Sequence, residues 1–439
     1  MRRRGADAAE KEDSHLCDGR SVARRSFPGR YVAALTSACV RANDEPSFDM
    51  TPPRQAPGAQ LRIPLLVLLA SACAQPDFRA ASTPPSGSLE PAALAYLGSS
   101  GTDPLYRVSG AAVVDSFILV ANAGSNQLLV YSVDGTFLRA AGNEGAGPGE
   151  FRSLRWIQPV GHRLFVYDSE LGRVSQFSSG GTFLGSVNIR PTAPFAFAQP
   201  LGLFPDHSFL VLASTTAVAA PPPGAVYRDT VALLRYGAAG EFVDSIGAYE
   251  MTEGYADTFG SSGHVMWELP GGKASALVVS GWHYYVIQND APLITSHDTT
   301  GATTREFREP HPSVQTIPEH YLDVLRERLV PPELPFRDRM REIVQRIPFP
   351  TDAPPYGWIG SRRLSMLRVA DDGSVWALRF GGLPGSLPTW VVFDSAGAVR
   401  GHVVADQELD ILYCDAQVAL VHRWDELDTE TVELRRIQW

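Results

Sequence analysis

The sequence predicts an all-β chain, a six-bladed β-propeller, on three observations. One short pattern recurs: an aromatic residue, a turn glycine four positions on, then another strand residue. It reads Tyr131, Gly135, Phe137; then Phe177, Gly181, Phe183; then Tyr236, Gly240, Phe242. Looser copies stand at His297, Gly301, Thr303 and at Phe393, Gly397, Val399. Each copy sets a glycine turn between two strand-like runs, as a β-hairpin does. The copies also recur at the scale of propeller blades, about 40–50 residues, with longer intervals carried in loops. Finally, six short apolar runs each follow a tight polar turn.

Taken in order, the chain opens with residues 1–49, which lack helical or strand periodicity. A basic and apolar signal follows over 50–73. Arg54 and Arg62 precede the run from Ile63 to Ala70, which ends in Ala70, Ser71, Ala72 and Cys73. A basic lead, a short apolar stretch and small residues before a cysteine make an export signal. The run is too short to span a bilayer as a mature helix. Signals open a chain, so Met50 is expected to be the true start and residues 1–49 a mis-called extension. The last four residues of the signal resemble the lipobox of bacterial lipoproteins, with Ala70 where that family usually has Leu. The resemblance implies cleavage before Cys73 and lipidation of its thiol, and Ala74 implies passage to an outer membrane. Residues 74–89, rich in Pro and Ser, read as a flexible tether.

The propeller is expected over 90–439. Second strands are expected at Phe117–Val120, Leu164–Tyr167, Ser208–Leu212, His283–Ile287, Ser374–Leu378 and Val418–Val421. Third strands follow at Gln127–Tyr131, Arg173–Phe177, Thr230–Tyr236, Pro292–His297, Thr389–Phe393 and Thr431–Ile437. Most are alternating or continuously apolar, as strands in packed sheets are. The sixth unit runs out with three strands and an unpaired edge, which is a liability. The apolar stretch Ala92–Leu97 is expected to pair there and close the ring.

In the second unit, Gly145 to Phe151, Leu164 to Asp168, Arg173 to Phe177 and Gly181 to Phe183 resemble the NHL repeat of six-bladed propellers. That repeat carries a Gly-Pro-Gly-x-Phe turn, a strand ending in Asp and an Arg-Val-x-x-Phe strand. The resemblance implies a structural, turn-stabilising part for Asp168 and Arg173. It is close over residues 105–190. The first unit has Asn122 and Gln127 at the matching positions.

Residues 310–358 break the period. Pro318 to Leu329 and Pro335 to Arg346 read as two short helices between blades 4 and 5. Tyr321, Leu322, Leu325 and Leu329 recur at helical spacing, and Pro with acids in the first turn favours a helix start. Such insertions cost little and often carry function; this one is either a decorative cap or a lid over one mouth of the channel.

Composition narrows the function. The formal net charge is −10. Nucleic acid, whose binders carry a basic surplus, is not an expected partner. Lys11 and Lys273 are the only lysines, which argues against Schiff-base chemistry. With Cys73 lipidated, Cys414 reads as a small buried hydrophobe. No nucleophile elbow, phosphate loop, zincin helix or cysteine-rich metal spacing occurs, so no catalytic residue, metal or cofactor is assigned. The histidines are scattered, and His162 and His207 are expected in outer hairpin turns. Near the starts of the inner strands stand Arg107, Arg155, Gln199, Lys273, Arg363 and Glu408. Four of these six are basic. Arg107, Arg155, Lys273 and Arg363 are therefore the candidate anion or ligand-binding set at the channel mouth. The expected role is binding of a peptide, glycan or protein ligand, with membrane contact through the lipid anchor only. The alternative is a metal-dependent hydrolase or lyase acting in the channel.

Overall fold

The five glycines of the repeat take φ values of 88°, 81°, 83°, 90° and 96° at Gly135, Gly181, Gly240, Gly301 and Gly397. That left-handed backbone is readily available only to glycine. In three copies the flanking aromatics meet edge-on across the hairpin: Tyr131 with Phe137, Phe177 with Phe183 and Tyr236 with Phe242. A second constraint is steric. A Cβ on Gly240 would lie 2.5 Å from the Asn188 carbonyl oxygen, and one on Gly301 2.4 Å from that of Ile246. Each repeat glycine thus presses on the preceding blade.

The computed structural model describes residues 86–98, 101, 103–215, 221–259, 263–310, 312, 315–330, 336–360 and 362–439. The extension 1–49, the signal 50–73 and Cys73 lie outside the described residues.

The first two strands are β1 (Ser86–Leu89) and β2 (Ala95–Leu97). Blade 1 follows as β3 (Val108–Val114), β4 (Phe117–Asn122), β5 (Gln127–Ser132) and β6 (Phe137–Ala141). Blade 2 is β7 (Leu154–Val160), β8 (Arg163–Asp168), β9 (Arg173–Ser178) and β10 (Phe183–Asn188). Blade 3 is β11 (Phe197–Leu203), β12 (Phe209–Ser214), β13 (Ala225–Tyr236) and β14 (Phe242–Phe259), with a fifth strand, β15 (Gly263–Glu268). Blade 4 is β16 (Ser275–Ser280), β17 (His283–Gln288), β18 (Leu293–His297) and β19 (Thr303–Arg308). Helices α1 (Glu319–Leu329) and α2 (Arg337–Val344) come next. Blade 5 is β20 (Leu367–Val369), β21 (Val375–Leu378), β22 (Thr389–Phe393) and β23 (Val399–Val404). Blade 6 is β24 (Asp410–Cys414), β25 (Val418–Trp424) and β26 (Glu430–Gln438).

The inner strands touch in the cycle β3, β7, β11, β16, β20, β24 and back to β3. The chain is a six-bladed β-propeller. A buried apolar core fills each of the six interfaces between blades. Strand alternation feeds two of these cores at once. In β4, Leu119 and Ala121 enter the core shared with blade 2, while Ile118 and Val120 enter the one shared with blade 6. That is why the second strands are apolar throughout. Cys414 is buried in the core between blades 5 and 6, and burial pushes its thiol up.

Ring closure occurs where the sequence places it and extends further. β2 runs antiparallel to β26, with Ala95 opposite Leu434 and Leu97 opposite Val432. β1 joins the same strand through Ser88 and Leu89. It also lies parallel to β23, so one sheet runs through blades 5 and 6. This corrects the tether reading for its last four residues. Ser86–Leu89 is paired strand, and a Cβ on Gly87 would lie 2.8 Å from the Gln438 carbonyl oxygen.

The inserted segment folds as two helices, as its periodicity predicts. Tyr321, Leu322, Leu325 and Leu329 form the buried face of α1. They pack with Met340 and Ile343 of α2 and with Tyr255, Val265 and Trp267 of the β14–β15 hairpin. A seventh apolar core thus forms a cap, built from blade 3's extension and the insertion after blade 4.

Candidate functional site

In an antiparallel four-stranded blade, the start of the first strand, the end of the second, the start of the third and the end of the fourth share one face. The insertion leaves and rejoins the ring on that face, which therefore carries the cap. Arg346 anchors it: its Nη2 and Nε donate to Asp257 Oδ2 at 2.8 and 3.0 Å, and the Tyr255 hydroxyl donates to the same oxygen at 3.0 Å. Burial would raise the Asp257 carboxyl, but the Thr258 amide, Arg346 and Tyr255 outweigh it and hold it low. On the other side, the Tyr321 hydroxyl donates to the Gly382 carbonyl at 2.8 Å, and Arg328 to that of Ile359 at 2.9 Å.

Of the six residues marked in the sequence, Arg107, Arg155, Lys273 and Glu408 fall within two residues of inner-strand starts on this face, Arg363 stands four residues ahead of β20, and Gln199 lies two residues inside β11. Their environments differ. Arg363 is exposed and pairs with Glu268 of β15 at 3.7 Å. Lys273 pairs with Asp290 at 3.5 Å, and Asp290 also holds Arg228, whose side chain is only 10% exposed. Glu408 accepts hydrogen bonds from the Trp358 indole at 2.9 Å and the Arg362 amide at 3.0 Å. Gln199 is half-buried within β11. Arg155 is exposed, and its Nε donates to Ser169 Oγ at 2.8 Å. Arg107 is exposed, and among the described residues it makes no ion pair.

Arg107 also has an unusual backbone, with φ of 55°. A non-glycine residue there is strained and needs its surroundings to hold it. Glu430 does so from blade 6. Its Oε1 accepts the Arg107 amide at 2.7 Å and its Oε2 the Val108 amide at 2.8 Å. His422 Nε2 lies 3.0 Å from Oε2. Burial works against the Glu430 charge, but the His422 bond and the two amides prevail and lower its pKa. Sequence reasoning missed Glu430 and His422, because no local pattern links positions 323 residues apart.

Asp168 and Arg173 hold turns, as their resemblance to the repeat implies. Asp168 accepts the amides of Arg152 and Ser153 through one oxygen and of Glu170 and Leu171 through the other. Arg173 donates to the carbonyls of Ala146, Gly147 and Glu150, fixing the Gly-Pro-Gly turn.

The histidines do not converge. His422 serves Glu430, His402 lies 3.8 Å from Glu309, and His297 stacks on Tyr284. Among the described residues no group of three His, Cys, Asp or Glu side chains is arranged to hold a metal. His162 and His207 lie in the turns β7–β8 and β11–β12, the hairpins of the inner strands, so the expectation of outer turns is corrected. His162 Nδ1 contacts Asp115 at 2.6 Å on the face opposite the cap.

A family described as a 6-bladed beta-propeller matches residues 103–199. No curated protein sequence matches the chain. Among solved structures, a candidate exported protein from Bacteroides fragilis is 10% identical, with a TM-score of 0.44 over 80% of this chain and 95% of that one. Virginiamycin B lyase from Staphylococcus aureus is 11% identical, with a TM-score of 0.37 over 80% of this chain and 99% of that one. Likenesses of this size bear on no activity. Among the described residues no helix is long and apolar enough to cross a membrane.

Proposed function

We propose that the chain is an exported, membrane-anchored propeller that binds an anionic ligand on its capped face, as a peptide, glycan or protein partner would present one. The observation that carries the reading is the placement of charge. In a chain of net charge −10, Arg107, Arg155, Lys273 and Arg363 all stand within four residues of inner-strand starts on one face. Lys273 and Arg363 are paired with carboxylates, while among the described residues Arg107 and Arg155 are not, and unpaired charge of one sign at a mouth attracts the opposite sign. The cap borders the same mouth, and rigid scaffolds with long inserted segments commonly bind through them.

A thermal-shift and calorimetric panel of acetate, phosphate, glucuronate and an acidic peptide tests the reading. At least one should bind in a salt-dependent way. The fourfold variant with Arg107, Arg155, Lys273 and Arg363 each changed to Glu should lose it. Absence of binding by every anion, or equal binding by the variant, overturns the proposal. Export and anchoring rest on residues 50–73 and on Cys73. Labelled palmitate should enter the native chain and not a Cys73→Ser variant; an unlabelled native chain overturns the anchor.

A further inference from the structure

Resting on that reading, we propose that the anion is the carboxylate of an acidic sugar. Arg107 takes the carboxylate and is positioned by Glu430, while Tyr106, positioned by Asn122, supports the ring.

The cations at this mouth are not equivalent. Lys273 and Arg363 already have carboxylates at 3.5 and 3.7 Å. Arg107 has none among the described residues, and Arg155 is held through Nε by the neutral Ser169. The two lie on neighbouring inner strands. β3 and β7 approach closely at Gly110, where a Cβ would stand 3.3 Å from the Ile157 side chain. Arg107 and Arg155 are three and two residues ahead of that contact. Uncompensated positive charge is thus concentrated on blades 1 and 2, away from the cap's ion pairs.

Segment 104–108 is built to present a side chain. The Tyr106 amide donates to Asn122 Oδ1 at 2.7 Å, and Asn122 Nδ2 donates to the Pro104 carbonyl at 3.0 Å. Glu430, 8% exposed, holds the next two amides. The strain at Arg107 is therefore maintained by a buried carboxylate from across the ring closure. Such strain collects where a site must be pre-organised.

Tyr106 supplies the second element. Its ring lies against Gly124, where a Cβ would fall 2.1 Å from Tyr106 Cδ1. The residue is nevertheless 45% exposed. One side of the tyrosine is thus backed by main chain while much of the residue stays exposed, one position before Arg107 in the chain. A planar guanidinium binds a carboxylate bidentately, and an open aromatic surface suits the apolar face of a sugar ring. A ligand with both features in one residue is a uronate.

Calorimetry with glucuronate, against glucose, acetate and a peptide with a free C-terminal carboxylate, tests this on the full chain. Glucuronate should bind best. Arg107→Ala should weaken it about ten- to a hundredfold, the range for a lost charge-assisted hydrogen bond. Arg107→Gly should weaken it equally while keeping the melting temperature, since glycine accepts the φ of 55°. Tyr106→Ala should weaken glucuronate and leave acetate unchanged, a split that a structural role would not produce. Arg163→Ala, exposed at the start of β8 on the opposite face, should leave binding intact. Anion binding that survives Arg107→Gly and is lost with Lys273→Ala overturns the anchor but spares the broader reading. Acetate or the peptide binding as well as glucuronate overturns the sugar assignment. No anion binding at all overturns both.

Discussion

Glu430 shows how one carboxylate can bridge a ring closure and hold a strained backbone. Its folded pKa is lowered, so the fold favours the ionised form over the unfolded chain, whose ordinary value is 4.5. Its contribution is therefore fully present above that value and is lost as pH falls through the lowered one. Glu430→Gln keeps one acceptor oxygen for two amides and cannot hold both equally. Leaving a buried donor unmatched costs about 1–3 kcal/mol. Urea unfolding at pH 7 should show a loss of that size. The variant should also lose less stability than the native chain between pH 5 and 3. Equal acid sensitivity in both would refute a role for the Glu430 charge. Neither this role nor that of His422 could be read from the sequence, although Arg107 could. A charged residue at a strand start is visible locally; the residue that bends its backbone comes from the far end of the chain.

At the scale of elements, the repeat was readable because each position answers to two local demands. The aromatic pairs across the hairpin, and the glycine supplies both the φ and the room. Gly240→Ala tests the pair of demands. Alanine in the left-handed region costs about 1–2 kcal/mol, and the Asn188 carbonyl at 2.5 Å from its Cβ adds a main-chain clash. The expected loss therefore exceeds that of Gly185→Ala, where a Cβ meets nothing within 4 Å and φ is not left-handed. Equal losses in denaturant titrations would mean that the contact between blades is slack. The fifth strand of blade 3 was not readable. Within β14, Tyr255 is buried against helices some seventy residues downstream, so its pattern completes no local period. Ser86–Leu89 misled for a different reason: Ser and Gly are tether residues by composition, yet Gly87 is small because two strands crowd it.

For the whole molecule, closure is the cooperative step. Five blades are built from consecutive strands, while blade 6 needs a strand from the opposite end of the described chain. β2 places Ala95 and Leu97 in the core between blades 6 and 1, and Gly135 of blade 1 packs on Ala95 as the other repeat glycines pack on their preceding blades. The strap thus completes one sheet and one interface together. Leu97 is fully buried, and Leu97→Ala should cost about 2–5 kcal/mol. Losing the whole strap should cost more, because it also bares the edge of β26, which then pairs with other chains. Chains beginning at Ser86 and at Asp103 make the comparison with everything upstream removed from both. The shorter one should melt at a clearly lower temperature and associate as it unfolds. Its Glu430 would still reach Arg107, so the site could persist at low temperature while the ring loses its lock. Identical melting curves for the two chains would show that the inner strands close the propeller unaided, and that the strap is an ornament.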